Sequence, residues 1–270
     1  RMVIALPLLL LGVQMTGAPV SVSPLAIGKP LIAYWDFDEP FGTVASDISG
    51  NGNHAEPARA GGLERVQGVF GTGMAFTGGH MLQTPERPRL GDIEAISLSV
   101  WVLPTDLSEY REIFRKEDGD QRVLFSFQGD GTILSLGLNI GGYMECDAPI
   151  DPRALLDGNW HHCAASFDGK VMRVYLDGAE IGSLERPGAI QAGGPAPGCI
   201  GSSGGGENFQ GLMDDLRIYS AALTADDVAA LSSNGREALT RNVDIAATGE
   251  PSVDRPLLAH WPFNEPGLSP

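Results

Sequence analysis

The sequence is poor in cysteine and in basic residues, and each shortage excludes a class of protein. Its three cysteines, Cys146, Cys163 and Cys199, never have the CxxC spacing of a zinc or redox site. In an exported protein they leave open one disulfide with a free buried thiol, or no disulfide. The 18 basic and 34 acidic residues give a net charge of −16, which repels phosphate backbones and argues against nucleic acid as a partner.

Long apolar segments are also lacking. The run at residues 2–13, MVIALPLLLLGV, is shorter than the roughly 20 residues that a membrane helix needs. Small and polar residues follow it as far as Ala18, in the manner of a secretory signal and its cleavage site. We interpret residues 1–26 as a signal peptide, with a membrane anchor as the alternative. The rest of the chain is then expected to be secreted, periplasmic or at the cell surface.

Glycine and proline are abundant, with 36 and 19 residues, and they separate a dozen or so short apolar runs. The clearest is ISLSVWVLP, in which Ile96, Leu98 and Val100 alternate with smaller or polar residues. One helix is credible, because Thr224 is a good N-cap and Asp227 follows three residues later. The pattern predicts an all-β fold, a two-sheet antiparallel β-sandwich over residues 27–235 with one short C-terminal helix.

An internal repeat indicates a longer parent protein. LIAYWDFDEP at Leu31 and LLAHWPFNEP at Leu257 share most of their residues in register. An offset this long corresponds to a whole domain and a linker, followed by the first strand of a second copy. We therefore predict a linker at 236–256 and a truncated second repeat at 257–270. Removal of residues 236–270 is then expected to leave the fold intact.

Four ordered segments carry a resemblance to a known family: WDFDEPFGTVASDISGNGNHA, SLSVWVLP, DGNWHHCAASFDGKVMRVYLDG and FQGLMDDLRIYSAALTADDVAAL. Together they resemble the LamG-like jelly-roll domain of the concanavalin A-like lectin/glucanase superfamily, over about residues 31–231. The resemblance implies a sandwich of two antiparallel sheets that binds carbohydrate or protein, mostly without catalysis. The calcium site of the related pentraxins is not implied, because only Glu207 and Asn208 remain in the corresponding loop.

The stretch DISGNGNHAE offers oxygen ligands of the kind that calcium prefers. The first and last strands of a jelly roll commonly lie side by side, which would bring this loop near MDDLRIY. We therefore predict a structural calcium ion, with the following candidate ligands: Asp47, Asn51, Asn53, Asp214 and Asp215. Because alternate strand residues point to opposite faces, one of the two adjacent aspartates is expected to be a ligand, and the resemblance favours Asp214. An Asx-rich turn without metal is the alternative.

Aromatic residues at the edges of strand-like runs are the candidate sugar contacts, namely Tyr110 and Tyr143. Trp35 and Trp101 are expected in the core. The adjacent His161 and His162 are expected to be structural, since the sequence shows no obvious acidic partner for a metal or acid–base role. The acidic run nearest to a pattern of paired catalytic carboxylates, KEDGDQ at 116–121, is predicted to be a turn.

These observations favour a noncatalytic extracellular recognition module within a larger protein, with carbohydrate as its ligand and no nucleic-acid partner. The alternative is a structural or adhesive spacer that binds surface proteins and has no sugar site.

Overall fold

The computed structural model describes residues 24–86, 93–191 and 194–248, and these form two packed antiparallel sheets. The first sheet contains, in spatial order, β13 (Ala179–Glu185), β12 (Val171–Leu176), β11 (His161–Phe167), β6 (Ile96–Asp106), β15 (Gln210–Tyr219), β4 (Thr72–Phe76) and β3 (Leu63–Gln67), while β1 (Leu31–Trp35) also pairs with β15. The second contains β10 (Tyr143–Pro149), β9 (Ile133–Asn139), β8 (Gln121–Gln128), β7 (Arg111–Asp118), β14 (Gly198–Ile200), β5 (Leu82–Gln83) and β2 (Glu56–Pro57). The predicted β-sandwich is confirmed.

The core lies between the sheets and follows from the alternation of apolar residues along the strands. In β6, Ile96, Leu98 and Val100 point inward and are fully buried. Inward side chains of the second sheet meet them, among them Val123, Phe125, Phe127, Leu134, Leu136 and Leu138. Trp35 and Trp101 are buried as expected, although Trp101 packs on the opposite side of β6, in a small cluster with Val69, Phe70 and Ala238.

The first and last strands close the sandwich, as predicted. β1 runs antiparallel to β15, with Tyr34 opposite Arg217 and Trp35 opposite Leu216. Upstream of β1, the Leu25 amide donates to Asn234 Oδ1 at 2.9 Å and the Leu25 side chain packs beside Leu223 and Val228. Leu25 is thus part of the domain, and the boundary predicted at residue 27 is too late. Residues 1–23, which make up most of the segment predicted at 1–26 as a signal peptide or membrane anchor, lie outside the described residues.

The C-terminal helix is longer than expected. Besides the short α1 (Pro152–Leu155), the structure has α2 (Ala225–Thr248), which begins with the predicted cap, because the Thr224 amide donates to Asp227 Oδ2 and the Asp227 amide to Thr224 Oγ1. Residues 236–248 were predicted to be linker and are helical instead. Their composition is polar, yet Ala238 is buried against the first sheet. The rest of the predicted linker and the second repeat lie outside the described residues.

The three cysteines are buried and form no disulfide bond, which is one of the two alternatives that their number left open. Cys146, Cys163 and Cys199 lie on β10, β11 and β14, and burial raises the pKa of each thiol. Neither of the helices in the described residues is long and apolar enough to cross a membrane.

Candidate functional site

The side of strands β7–β10 that faces away from the core carries a layer of polar side chains, which we call the outer face. Strand pairing arranges it in rows across the sheet. One row is Glu112, Ser126, Ser135 and Asp147, a second is Arg115, Leu124, Gly137 and Glu145, and a third contains the pairs Glu117–Arg122 and Asn139–Tyr143. Four buried residues form its floor, namely Leu124, Ser126, Ser135 and Gly137.

Tyr143 is the exposed aromatic residue of the outer face, with 38% of its surface accessible. Its hydroxyl group donates to Glu145 Oε1 at 2.6 Å, and Arg122 Cζ lies 4.4 Å from its ring centroid. Gly137 makes this position available, because a Cβ atom there would lie 2.5 Å from the Tyr143 hydroxyl oxygen. The ring is therefore held over the sheet by an acceptor at one end and a cation on one side.

Neighbouring polar groups extend the layer around Tyr143. Gln128 Nε2 donates to Glu145 Oε1 at 2.8 Å, and Ser135 Oγ donates to Asp147 Oδ1 at 2.7 Å. Carboxylates, amides and an aromatic ring on one surface are the groups that bind the hydroxyls and C–H faces of a polyhydroxylated ligand. The outer face therefore has the chemistry of a polar small-molecule site.

Arg115 connects three carboxylates at the opposite edge of the outer face. Its Nη1 donates to Glu112 Oε1 and to Glu207 Oε2, each at 2.9 Å, and its Nε donates to Glu117 Oε2 at 2.7 Å. Burial raises the pKa of Glu112 to about 8 even though Arg115 opposes the shift. Burial also acts to raise the pKa of Glu117, but hydrogen bonds from Arg115 and Arg122 hold it below its usual value.

The two predicted sugar contacts lie at different places. Tyr143 belongs to the outer face, whereas Tyr110 precedes β7 and lies by the turn that follows Gln128, where Asp130 N donates to Glu109 O. Sequence reasoning missed Arg115, Arg122, Gln128 and Glu145. The signal was available in part, because alternation in YMECDA places Tyr143, Glu145 and Asp147 on one side of β10. The cross-strand register, which brings these residues beside the arginines, could not be read from the sequence.

The predicted calcium ligands Asp47, Asn51 and Asn53 form one hydrogen-bonded loop that lies on β1. Asp47 accepts from the backbone amides of Tyr34, Ser49 and Asn53 at 2.8–3.0 Å. Asn51 Nδ2 donates to Leu31 O at 2.7 Å and Asn53 Nδ2 to Ile32 O at 2.8 Å. Burial acts against ionisation of Asp47, but these amide bonds hold its pKa below the usual value. The bonds are those of an Asx-rich turn.

The prediction that Asp214 and Asp215 point to opposite sides of β15 is wrong, because the strand has an irregular register between Asp214 and Arg217 and Asp215 has a positive φ of 54°. Both carboxylates contact groups on the side of β15 that faces away from the core. Asp215 Oδ1 accepts from Arg217 Nη2 at 2.9 Å and from the Tyr34 hydroxyl at 2.5 Å. Asp214 Oδ2 accepts from the amides of Val69 and Phe70 at 2.8 and 3.0 Å. The carboxylate of Asp214 is fully buried, and burial together with the charge of Asp215 raises its pKa well above the usual value.

Asp214 differs from the other predicted ligands in having a carboxylate oxygen without a hydrogen-bond partner among the described residues. This atom, Oδ1, is buried, and a buried oxygen without a partner lacks compensation whether the group is ionised or protonated. The other four predicted ligands are engaged by protein groups. Within the described ranges, no group of three or more His, Cys, Asp or Glu side chains is arranged to hold a metal ion. Asp214 Oδ1 is therefore a single oxygen without a protein partner in the described part of the chain, and the Asp47–Asn53 loop uses its polar side chains in hydrogen bonds to the protein.

His161 and His162 are both buried, one on each side of β11. His162 Nε2 lies 2.9 Å from Ser99 Oγ, and burial lowers the pKa of His162 to about 3. His161 lies between two carboxylates, Asp177 at 2.9 Å and Asp157 at 3.2 Å, which raise its pKa although burial opposes them. The expectation that His161 has no acidic partner nearby is therefore wrong. Asp157 was visible four residues earlier in the sequence.

This fold and its polar outer face agree with a family assignment. Residues 76–229 match the Laminin_G_3 family model, described as Concanavalin A-like lectin/glucanases superfamily. The match spans more than half of the chain, and the chain belongs to this family. The mouse (Mus musculus) protein pappalysin-1 is 32% identical over 82 residues, which are 28% of this chain and 5% of pappalysin-1. This chain thus corresponds to a small part of that relative.

Similar solved structures are mostly binding domains. Domain 4 of the extracellular GH43 arabinanase AbnA from Geobacillus stearothermophilus, in complex with arabinotriose, is 24% identical with a TM-score of 0.63, covering 76% of this chain and 98% of that one. A structure of botulinum neurotoxin type C, whose cell entry depends on two ganglioside molecules, is 13% identical with a TM-score of 0.57, covering 76% and 51%. The binding domain of botulinum neurotoxin DC with rat synaptotagmin II is also 13% identical, with a TM-score of 0.54, covering 76% and 52%. At these identities, the similarity establishes the fold.

Proposed function

We propose that this domain is a noncatalytic carbohydrate-recognition module and that the outer face of β7–β10 holds the glycan. The observation that carries the proposal is Tyr143, an exposed ring fixed by Arg122 and Glu145 on a surface otherwise made of hydrogen-bonding side chains. The arabinotriose complex of the similar AbnA domain supports the ligand class. Tyr110, which is exposed and lies immediately before the start of β7, is a second, outlying contact in this proposal.

Three aromatic variants test the site after a glycan array on residues 24–248 has identified a bound sugar. Tyr143→Ala removes the ring and is expected to weaken binding at least tenfold, which is about 1.4 kcal/mol. Tyr143→Phe keeps the ring and removes the bond to Glu145, so it separates stacking from positioning. Phe41→Ala is the matched control, because Phe41 is even more exposed and lies in the loop after β1. Unchanged affinity in Tyr143→Ala would contradict the proposed site.

The alternative function is an adhesive or structural spacer with protein partners. It is favoured by three exposed apolar side chains in the loop after β1, namely Phe41, Val44 and Ile48. The synaptotagmin complex of a similar fold is consistent with such a role. A glycan array without any hit, combined with a protein partner whose binding is lost in Phe41→Ala, would favour this alternative over sugar binding.

The setting of the domain is part of the proposal. An extracytoplasmic location is supported by the signal-like N-terminal segment and by the extracellular enzyme to which the AbnA domain belongs. A parent protein with further domains is supported by the repeated LLAHWPFNEP motif. Absence of catalysis is the simplest interpretation of a face whose most perturbed carboxyl group, Glu112, is buried and bonded to Arg115.

We also propose one structural calcium ion, bound through Asp214 Oδ1 next to the turn between β3 and β4. Asp38 lies at the same turn, where its Oδ1 accepts from the Thr72 amide at 2.7 Å, and its charge adds to the raised pKa of Asp214 after burial and Asp215. A divalent cation would supply Oδ1 with a partner and offset this repulsion. Asp47, Asn51, Asn53 and Asp215 bond to other protein groups and are not ligands of the ion in this proposal.

A further inference from the structure

The described residues form a cavity whose lining does not include Tyr143. It has a volume of about 420 Å³ and lies between the ends of β2 and β5 and the loop from β14 to β15. Small-molecule sites are commonly about 300–1,000 Å³, so the space is adequate for a monosaccharide unit. The lining consists of Ala58, Arg59, Gly78, Gly79, Met81, Gly205 and Asn208.

Arg59 gives the cavity a positive charge without a carboxylate partner among the described residues. Its Nη2 donates to Gly78 O at 2.6 Å and to Gly79 O at 2.8 Å, which fixes the guanidinium group against the turn between β4 and β5. A guanidinium group has five N–H donors, and the two bonds leave those of Nε and Nη1 for a ligand. In a protein of net charge −16, such a cation is a local exception that selects an anion.

Asn208 supplies the second polar contact. Its Oδ1 is buried without a hydrogen-bond partner in the described part of the chain, which leaves an acceptor for a ligand hydroxyl group. Gly79 lies between the two groups: a Cβ atom there would be 3.0 Å from Asn208 Nδ2 and 3.2 Å from Arg59 Nη2. Any side chain at Gly79 would crowd both residues, and its φ of +73° also disfavours other residues.

We propose that this cavity binds a hydroxylated carboxylate, with the carboxylate accepting a hydrogen bond from Arg59 Nη1 and a hydroxyl group donating to Asn208 Oδ1. A hydrogen bond between a guanidinium group and a carboxylate is charge-assisted and stronger than one between neutral groups, and an adjacent hydroxyl group satisfies the amide. An acidic sugar unit of a glycan has this chemistry, and so has a free hydroxy acid. The site is separate from the outer face and does not depend on the function proposed for it.

Chemical-shift mapping on the wild-type domain tests the site with three probes: methyl glucuronoside, its neutral counterpart methyl glucoside, and lactate. Glucuronoside is expected to shift the amides of Gly78 and Gly79 and the side-chain amide of Asn208, with a much weaker effect from glucoside. If lactate binds as tightly as glucuronoside, the carboxylate site is supported and its ligand is a free hydroxy acid. Glucuronoside shifts confined to the surroundings of Tyr143, or none at saturating concentration, would overturn the proposal.

Two arginine variants then separate the site from general charge. Arg59→Gln is expected to weaken glucuronoside binding at least tenfold, whereas Arg153→Gln, at an exposed residue that pairs with Asp151, leaves it unchanged. Equal binding by Arg59→Gln and wild type, or an equal loss in Arg153→Gln, would refute the assignment. Thermal melting confirms that the variants are folded.

Discussion

Glu112 is the residue of the outer face whose chemistry departs furthest from that of a surface glutamate. It is nearly inaccessible, its Oε1 accepts from Arg115, and its Oε2 is buried without a hydrogen-bond partner among the described residues. The exposure of Tyr143 was predictable, because this residue lies at the end of a strand-like run in the sequence. The burial of Glu112 was not, because it depends on a register shift in β7 and on Glu207 from a distant loop.

The raised pKa of Glu112 predicts a loss of stability with rising pH. Its pKa is about 8 in the folded protein against about 4.5 for an ordinary glutamate, so between these values only the folded state keeps the proton. The free energy of unfolding should therefore fall from pH 5 to pH 8, by at most about 1.4 kcal/mol per pH unit from this group. Glu112→Gln cannot titrate and should be less affected by pH.

Urea unfolding at pH 5, 6.5 and 8 measures this effect, with Glu180→Gln as the control at an exposed glutamate. Relative to wild type, Glu112→Gln is expected to gain stability progressively as the pH rises, while Glu180→Gln shows no such trend. A pH-independent difference between Glu112→Gln and wild type would mean that the carboxyl group is ionised throughout, held by Arg115.

At the scale of elements, strands were predictable where apolar residues alternate and were missed where they do not. β6 and β8 alternate over most of their length, whereas β3, LERVQ, buries only Leu63 and was overlooked. The start of α2 follows from its capping box. Its end was misjudged, because few apolar residues suffice for a helix that packs against a preformed sheet: Ala238 and Leu239 contact the cluster around Trp101.

The packing of α2 predicts different results for two C-terminal truncations. Ending the chain after Gly235 removes Ala238, the ion pair of Arg236 with Asp177, and the bond from Asn242 to Val69 O. We expect a loss of about 2–4 kcal/mol from exposed apolar surface and lost hydrogen bonds. Ending it after Thr248 keeps all of α2 and should leave stability unchanged. Denaturant unfolding followed by tryptophan fluorescence compares them, and equal stability would show that the second half of α2 does not contribute.

For the whole molecule, the sandwich was predictable and the ligand sites were not. Strand number, turn residues and the family resemblance together define two antiparallel sheets, and the pairing of β1 with β15 follows from that topology. A site on a sheet face needs the register of four strands at once, and a cavity such as that of Arg59 needs loops from three parts of the chain. Neither is encoded in any local pattern, so both depended on the three-dimensional structure.

Calcium, if bound at Asp214, should stabilise the whole domain, because an ion that binds only the folded state adds RT ln(1 + [Ca]/Kd), about 2.7 kcal/mol at a hundredfold excess over Kd. EDTA should therefore lower the melting temperature of calcium-loaded wild type. Asp214→Asn should melt at the same temperature with or without EDTA, since it removes the charged ligand. Asp47→Ala should melt lower, through loss of its three amide bonds, but keep the EDTA effect. An EDTA-insensitive melt of wild type shown to be loaded would disprove the calcium proposal, and loss of the EDTA effect in Asp47→Ala alone would move the ion to the Asp47–Asn53 loop.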